Sequence, residues 1–371
     1  MIASLESDRT FVAHKAAQIL ELENQIDVLE RSIDVLRVAQ KPAQDRLDSY
    51  KYPVLTLPPE IISEIFLHFL PTYPEAPGLL DNPSPTNLTH VCRHWRAIAI
   101  ATPALWRSID LRHDEAHAEA VNTLCPLWLE RSGNLPLSFF ATDNDLFPAF
   151  LSSVPHRARW EHLELSLLDA DELKAINGPM PLLYTLTLFF RRKPEPRVPF
   201  DLQHLSLLRV VTLDDHGSPS VILPWSQLTS LTLRSMRSDS CMSILSQTLN
   251  LVDCTLSLWG RDAPIKNQDL ALSHLKTLVF EPSSQPSHTD SDFFRLFITP
   301  SLRRLELPEA LLGSRKPITS LRSFILRCGC TLNELRITEG FSSEYAYRNA
   351  FSSIPTIRFI AEQVYSNDSE G

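Results

Sequence analysis

Glycine is scarce in this 371-residue chain: there are nine, and no two lie closer than Gly329 and Gly340. A dinucleotide loop (G-x-G-x-x-G), a phosphate loop (G-x-x-x-x-G-K) and a nucleophile elbow (G-x-S-x-G) each need two glycines within about six residues. That spacing excludes all three. Basic clusters are equally sparse. The net charge is −9 and the longest basic run is Arg191-Arg192-Lys193, whereas a duplex binder needs a dense cationic face, so no nucleic acid is expected as a partner. Six cysteines at irregular separations make no disulfide framework. No run approaches the roughly 18 apolar residues of a membrane span, and the opening MIASLESDRTFVAHK lacks the apolar core of a signal peptide. The expectation is a soluble, reduced, intracellular protein of cytoplasm or nucleus, with no membrane partner.

Leucine is what the chain has in abundance, 59 residues of 371. Hydrophobic residues make up 43% and charged ones 21%, ample for a large core. The first segment, residues 1–50, reads as a helix. Ile19, Leu22, Ile26, Leu29, Ile33 and Leu36 step by 3, 4, 3, 4 and 3, the a/d seam of a coiled coil. Leu5 and Val12 extend the a positions backward, but Asp8 and Lys15 stand at d. The seam serves self-association, or a contact with another helix; the plainer alternative packs the helix on the rest of the chain. Pro42 should end or kink it.

Residues 57–70, LPPEIISEIFLHFL, place Pro58 and Pro59 in a helix's first turn, where a missing N–H costs nothing. Ile61, Ile62, Ile65, Phe66, Phe69 and Leu70 then form a broad apolar face. Five prolines make 71–86 a loop. A second helix, capped by Thr86 or Asn87, carries Leu88, Val91, Cys92, Trp95, Ile98 and Ala99 on one face. Thr102-Pro103 closes it, and Leu105–Leu111 reads as a short strand.

This block, 51–111, resembles an F-box, the module that docks on the Skp-type adaptor of cullin–RING ubiquitin ligases. The resemblance rests on Leu57, Pro58, Glu60, Ile61, Ile65, Phe66 and Leu70, and then on Leu88, Val91, Cys92, Trp95, Arg96, Leu105 and Trp106. It implies that the apolar residues not used in the module's own core insert into the adaptor, and it assigns adaptor binding to Leu57, Pro58, Glu60, Ile61, Ile65, Phe66, Leu70, Val91, Cys92, Trp95, Leu105 and Trp106. The loop at 71–86 is longer than the family's usual few residues. The N-terminal coil and the ATPALWRSIDL exit make the chain similar to the F-box proteins expanded in mushroom-forming fungi.

From Trp160 onward one phrase recurs, apolar-x-x-apolar-x-apolar, centred on Leu163, Leu186, Val211, Leu231, Cys254, Leu278, Leu305, Leu335 and Ile357. Its spacing is close to the leucine-rich-repeat period of about 20–29 residues. Trp106-x-x-Ile109-x-Leu111 repeats the phrase, and Leu135–Phe139 is a further candidate strand. The resemblance to leucine-rich repeats is strong in the first half of each unit. In the second half Met236, Ser283, Ala310 and Gly340 stand where the family keeps Asn or Cys. It implies a solenoid over 112–365, each repeat one short strand and a return segment, with a disordered tail at 366–371. Pro194–Pro199 and Pro282–Ser287 read as loops in the return segments. Strand alternation puts Glu164, Thr187, Thr212, Thr232, Thr255, Val279, Glu306, Arg336 and Arg358 on the open face, as a solvated sheet or as a surface for a target protein anchored by Arg304, Arg336 and Arg358.

Little else carries chemistry. His113 and His117 sit at i and i+4, but Asp114 replaces the glutamate of H-E-x-x-H and no third ligand follows. Cys328-Gly-Cys330 lacks the two-residue gap of metal or redox pairs and suits core positions. No metal, cofactor or catalytic group is expected. The fold class is therefore α/β: a coiled-coil helix, an F-box helical domain and an irregular repeat solenoid with a parallel sheet. The function implied by resemblance is a non-catalytic substrate receptor of an SCF-type ubiquitin ligase, with a Skp-type adaptor and cullin scaffold as partners and a target protein whose identity the residues do not encode. A plain interaction scaffold built on the repeats is the alternative, and a zinc hydrolase on His113 and His117 the third.

Overall fold

The computed structural model describes residues 2–49, 53–80, 82–111, 118–141, 147–167, 176–190, 200–215, 221–258, 269–282, 291–313 and 316–360. The chain divides into two compact units, 1–62 and 63–371.

In the first unit a single helix, α1, runs Ile2–Ser49. Every side chain of α1 from Asp8 to Leu47 is exposed. Of the two outcomes expected at Pro42, an end or a kink, the first does not occur: the helix passes through the proline to Ser49. A proline inside a helix deletes one N–H bond and crowds the carbonyl four residues back; on this exposed helix that carbonyl is not shut away from solvent. After a 3₁₀ turn at Pro53–Thr56, α2 begins at Pro59 and continues to Phe69. The amides of Ile61 and Ile62 both donate to the carbonyl of Pro58, so the paired prolines start the helix without losing a bond.

In the second unit the expected second helix is two. α3 is Pro85–Val91 and α4 is Arg93–Ile100. The cap of α3 is Ser84, not Thr86 or Asn87: its hydroxyl accepts from the Thr86 amide at 3.2 Å and donates to Leu79 O at 2.9 Å, with Pro85 in the first turn. Cys92 interrupts the helical run in an extended conformation (φ −157°, ψ 170°), and its sulfur accepts from the Trp95 amide at 3.4 Å. The Leu105–Leu111 segment contributes only a three-residue strand, Ser108–Asp110, because Pro103–Leu105 is a 3₁₀ turn.

That strand, β1, opens an eleven-stranded parallel sheet whose strand order is chain order. The others are β2 Leu137–Ala141, β3 Trp160–Leu167, β4 Thr185–Phe190, β5 Val210–Asp215, β6 Ser230–Met236, β7 Asp253–Leu258, β8 Thr277–Phe280, β9 Arg304–Pro308, β10 Glu334–Thr338 and β11 Thr356–Ile360. Parallel neighbours need a crossover, and here it is supplied by 3₁₀ turns and by α5 Ala118–Arg131, α6 Phe147–Ser153, α7 Ser238–Leu245, α8 Pro317–Cys328 and α9 Glu344–Ala350. Two small parallel pairs, Phe200–Asp201 with Val221–Ile222 and Leu270–Ala271 with Phe297–Ile298, lie in the connections.

The nine centres of the recurring phrase fall in one lateral register. Leu163, Leu186, Val211, Leu231, Cys254, Leu278, Leu305, Leu335 and Ile357 are Cα partners strand by strand. Phe139 and Ile109 extend the row to β2 and β1. All eleven are buried, so each strand covers the apolar edge of the one before. At Gly340 a Cβ would lie 2.9 Å from the Phe359 ring, so that ring would have to shift to admit a larger residue. Cys328 and Cys330 are buried, as core positions require, and the Cys328 thiol donates to Phe297 O at 3.3 Å.

One buried acid holds the C-terminal connection. Glu309 is 2% exposed and accepts from the amides of Phe341 and Ser342, the latter at 2.8 Å, and from the Tyr347 hydroxyl at 3.0 Å. Burial alone would raise its pKa; the donors from Ser342, Phe341 and Tyr347 outweigh burial and hold it below the usual carboxylate value. Stability from this group is therefore present above pH 4.5, its unfolded value, and is lost as pH falls through the lower folded value. Glu309→Gln should lower stability by about 1–3 kcal/mol at neutral pH and flatten this acid limb. Urea midpoints of both proteins across that pH range check it.

Candidate functional site

The family resemblance rests on α2, α3, α4 and the turn into β1. Along α2, Ile61, Ile65 and Phe69 are 48%, 45% and 40% exposed. They are spaced i, i+4, i+8, a single stripe. Ile62 and Phe66 point the other way and are 1% exposed each. Glu60, Pro58 and Val91 are exposed, whereas Leu57, Leu70, Cys92 and Trp95 are half-buried.

Three residues assigned to the adaptor lie instead in the core. Phe66 meets the Trp95 ring edge-on at 4.9 Å. Leu105 is 1% exposed and Trp106 has no exposed surface. The Trp106 indole donates to Ala99 O at 2.8 Å and sits edge-on to Trp128 at 5.3 Å, while the Arg131 guanidinium lies 4.6 Å over its ring. These aromatics bind the helical block to α5, so they are spent on folding. Phe69 and Ile100, both exposed large hydrophobics, were not among the assigned residues. For Phe69 the signal was available, since it completes the four-residue steps from Ile61.

The proline-rich segment 71–86 is anchored at several points. Gly78 forms a parallel bridge to Asp110 at the open edge of β1. The Pro74 carbonyl accepts from the Ser108 and Ser138 hydroxyls at 2.9 and 2.8 Å, and that of Glu75 lies 3.0 Å from Ser108. The Tyr73 hydroxyl donates to Glu161 at 2.6 Å beneath the Arg107 guanidinium, 3.7 Å from the ring. Burial, then the bond to Glu161, push the Tyr73 phenol far above its ordinary pKa. Leu79 is fully buried. The segment thus straps the outer face of β1–β3 and covers a sheet edge that would otherwise offer unpaired backbone groups.

At the far end of the sheet Arg304, Glu306, Arg336 and Glu334 close a ring of alternating charge. Arg304 reaches Glu306 at 2.9 Å and Glu334 at 3.7 Å, and Arg336 reaches Glu306 at 3.5 Å and Glu334 at 2.8 Å. The Arg336 hydrogen bond is the main cause that holds the Glu334 carboxyl below its usual pKa. Two of the three arginines read as target anchors are therefore already neutralised. Arg358, the lateral neighbour of Arg336, is exposed. The row from Glu164 through the threonines to Val279 faces out as expected and is half-buried.

Residues 54–112 match the F-box-like family model. They form an F-box-like domain. No curated protein matches the chain. Within the F-box-like domain lie α2, α3, α4 and β1, so it contributes the sheet's first strand. His113 and His117 lie outside the described residues, as do the proline segment 194–199, most of 282–287 and the tail. Among the described residues no cluster of three or more His, Cys, Asp or Glu is placed to hold a metal, and no helix is long and apolar enough to cross a membrane.

Burial separates two kinds of apolar residue in the F-box-like domain. Phe66→Ala should cost about 3–5 kcal/mol of stability, the value for a buried aromatic. Ile65→Asp should change it by about 0.5 kcal/mol or less, as at exposed sites. Chemical denaturation of the two variants checks the assignment.

Proposed function

We propose that this chain is a substrate-recognition subunit of an SCF-type ubiquitin ligase. The reading is carried by one observation: an F-box-like domain whose first helix leaves Ile61, Ile65 and Phe69 unburied. Three large aliphatic or aromatic side chains on one helical stripe are the material of a helix-in-groove contact, and the Skp-type adaptor is the partner that the family docks. Leu57, Pro58, Glu60, Leu70, Val91, Cys92 and Trp95 are the further residues that the resemblance assigns to the adaptor. Phe66, Leu105 and Trp106 support the contact from within. The strap residues 73–79 have their own bonds to β1–β3, which argues that the long insertion stays on the sheet and off the adaptor.

The eleven-stranded sheet would hold the target protein. Strand order equal to chain order, one lateral row of apolar centres and a period near that of leucine-rich repeats support reading it as an irregular solenoid of that kind. Its first strand is covered by the strap, and the outer face of β9 and β10 carries the Arg–Glu ring. The face of β4–β8, rich in threonine, is what remains for a target, with Arg358 as a cation beyond the ring. In this mechanism the chain catalyses no step and needs no cofactor. It raises the effective concentration of target lysines beside a charged conjugating enzyme carried by the cullin scaffold. Such work belongs inside the cell, in cytoplasm or nucleus.

Co-purification with a fungal Skp-type adaptor tests the reading. Wild type should form a one-to-one complex, and Ile65→Asp should weaken it by about 30-fold or more, as loss of an interface anchor does. If folded wild type binds no adaptor, the ligase reading falls and the sheet is an interaction scaffold.

A further inference from the structure

We infer that α1 is one strand of a parallel, two-stranded coiled coil formed with a second copy of this chain. The inference is independent of the adaptor reading, because the family match begins at residue 54. It starts from exposure. Ile19, Leu22, Ile26, Leu29, Ile33 and Leu36 are between 47% and 65% exposed on a helix that continues beyond them in both directions. Scattered apolar residues on a surface are ordinary; a continuous seam about 27 Å long at 1.5 Å per residue is not.

The identity of the seam residues selects the occupant. Isoleucine holds every a position, 19, 26 and 33, and leucine every d position, 22, 29 and 36. β-Branched residues at a with leucine at d favour two parallel strands; isoleucine at both, or the reverse order, shifts the preference to three or four. Charge agrees. In a parallel pair each g residue faces the e residue of the partner's next heptad. The facing pairs are Gln18 with Glu23, Gln25 with Glu30, and Ser32 with Arg37, none of them like-charged. Antiparallel pairing through the same seam would set Glu23 beside Glu30 of the second copy twice over. Asp8 and Lys15 at d positions end the seam on one side and Gln40 at a on the other, which fixes the register. A lipid surface is the wrong occupant: residues 19–37 carry Glu21, Glu23, Asp27, Glu30 and Asp34 against Arg31 and Arg37, whereas interfacial helices are basic.

Light scattering on the full chain tests the inference. Wild type at micromolar concentration should show twice the 42.1 kDa mass of one chain. Ile26→Asp combined with Leu29→Asp should return it to the single-chain mass with helical content outside α1 retained by circular dichroism. Leu20→Asp, equally exposed but off the seam, should leave the dimer intact and controls for loss of the helix itself. Ile19→Cys reports the orientation, since only parallel strands bring the two residues together. Mild oxidation should link that variant covalently and leave wild type unlinked; five of the native cysteines are buried and Cys92 is half-buried. A wild-type chain of single mass, a dimer that survives the double substitution, or an Ile19→Cys chain that does not cross-link would each overturn the proposal.

Discussion

Lateral burial of one row of side chains holds the second unit together. From Ile109 on β1 to Ile357 on β11, each strand places an apolar residue against the same position of its neighbour. No single strand can bury that face alone, so stability accrues as neighbours stack. The two ends of such an array are its weak points, because each terminal strand has a neighbour on one side only. At the first end the chain spends the strap of residues 73–79 and the Trp106 cluster; toward the other it spends the Glu309 staple and the Arg–Glu ring.

This arrangement ties the F-box-like domain to the sheet. β1 belongs to the matched segment and to the sheet at once, and Trp106 joins α4 to α5 through Ala99 O and Trp128.

The strands and their register were readable in the residues because their signal is periodic. Each centre is flanked by apolar neighbours three before and two after, and that spacing survives the substitution of Val, Cys or Ile for Leu at positions 211, 254 and 357. The F-box-like helices were readable in outline and wrong in detail. Cys92 breaks a run that looks helical because its own sulfur caps the following helix, an event no amphipathic pattern records. Phe66, Leu105 and Trp106 were assigned to a partner because an apolar helix face does not say which stripe faces inward; only the aromatic contacts of Trp95, Trp128 and Arg131 decide it. The strap was invisible for a different reason. Its bonds join residues up to 88 positions apart, through hydroxyls and carbonyls that leave no local signature. Pro42, expected to end or kink α1, does not end it; the helix is exposed along this stretch, where the carbonyl freed by the proline is not shut away from solvent.

If the exposed face of α2, and not the sheet, meets the adaptor, hydrogen exchange of the chain, alone and with a Skp-type adaptor, registers it directly. Slower exchange is expected across residues 59–69 on adding the adaptor, with β4–β8 unchanged. Protection confined to the strands, or none anywhere in a folded chain, would contradict it.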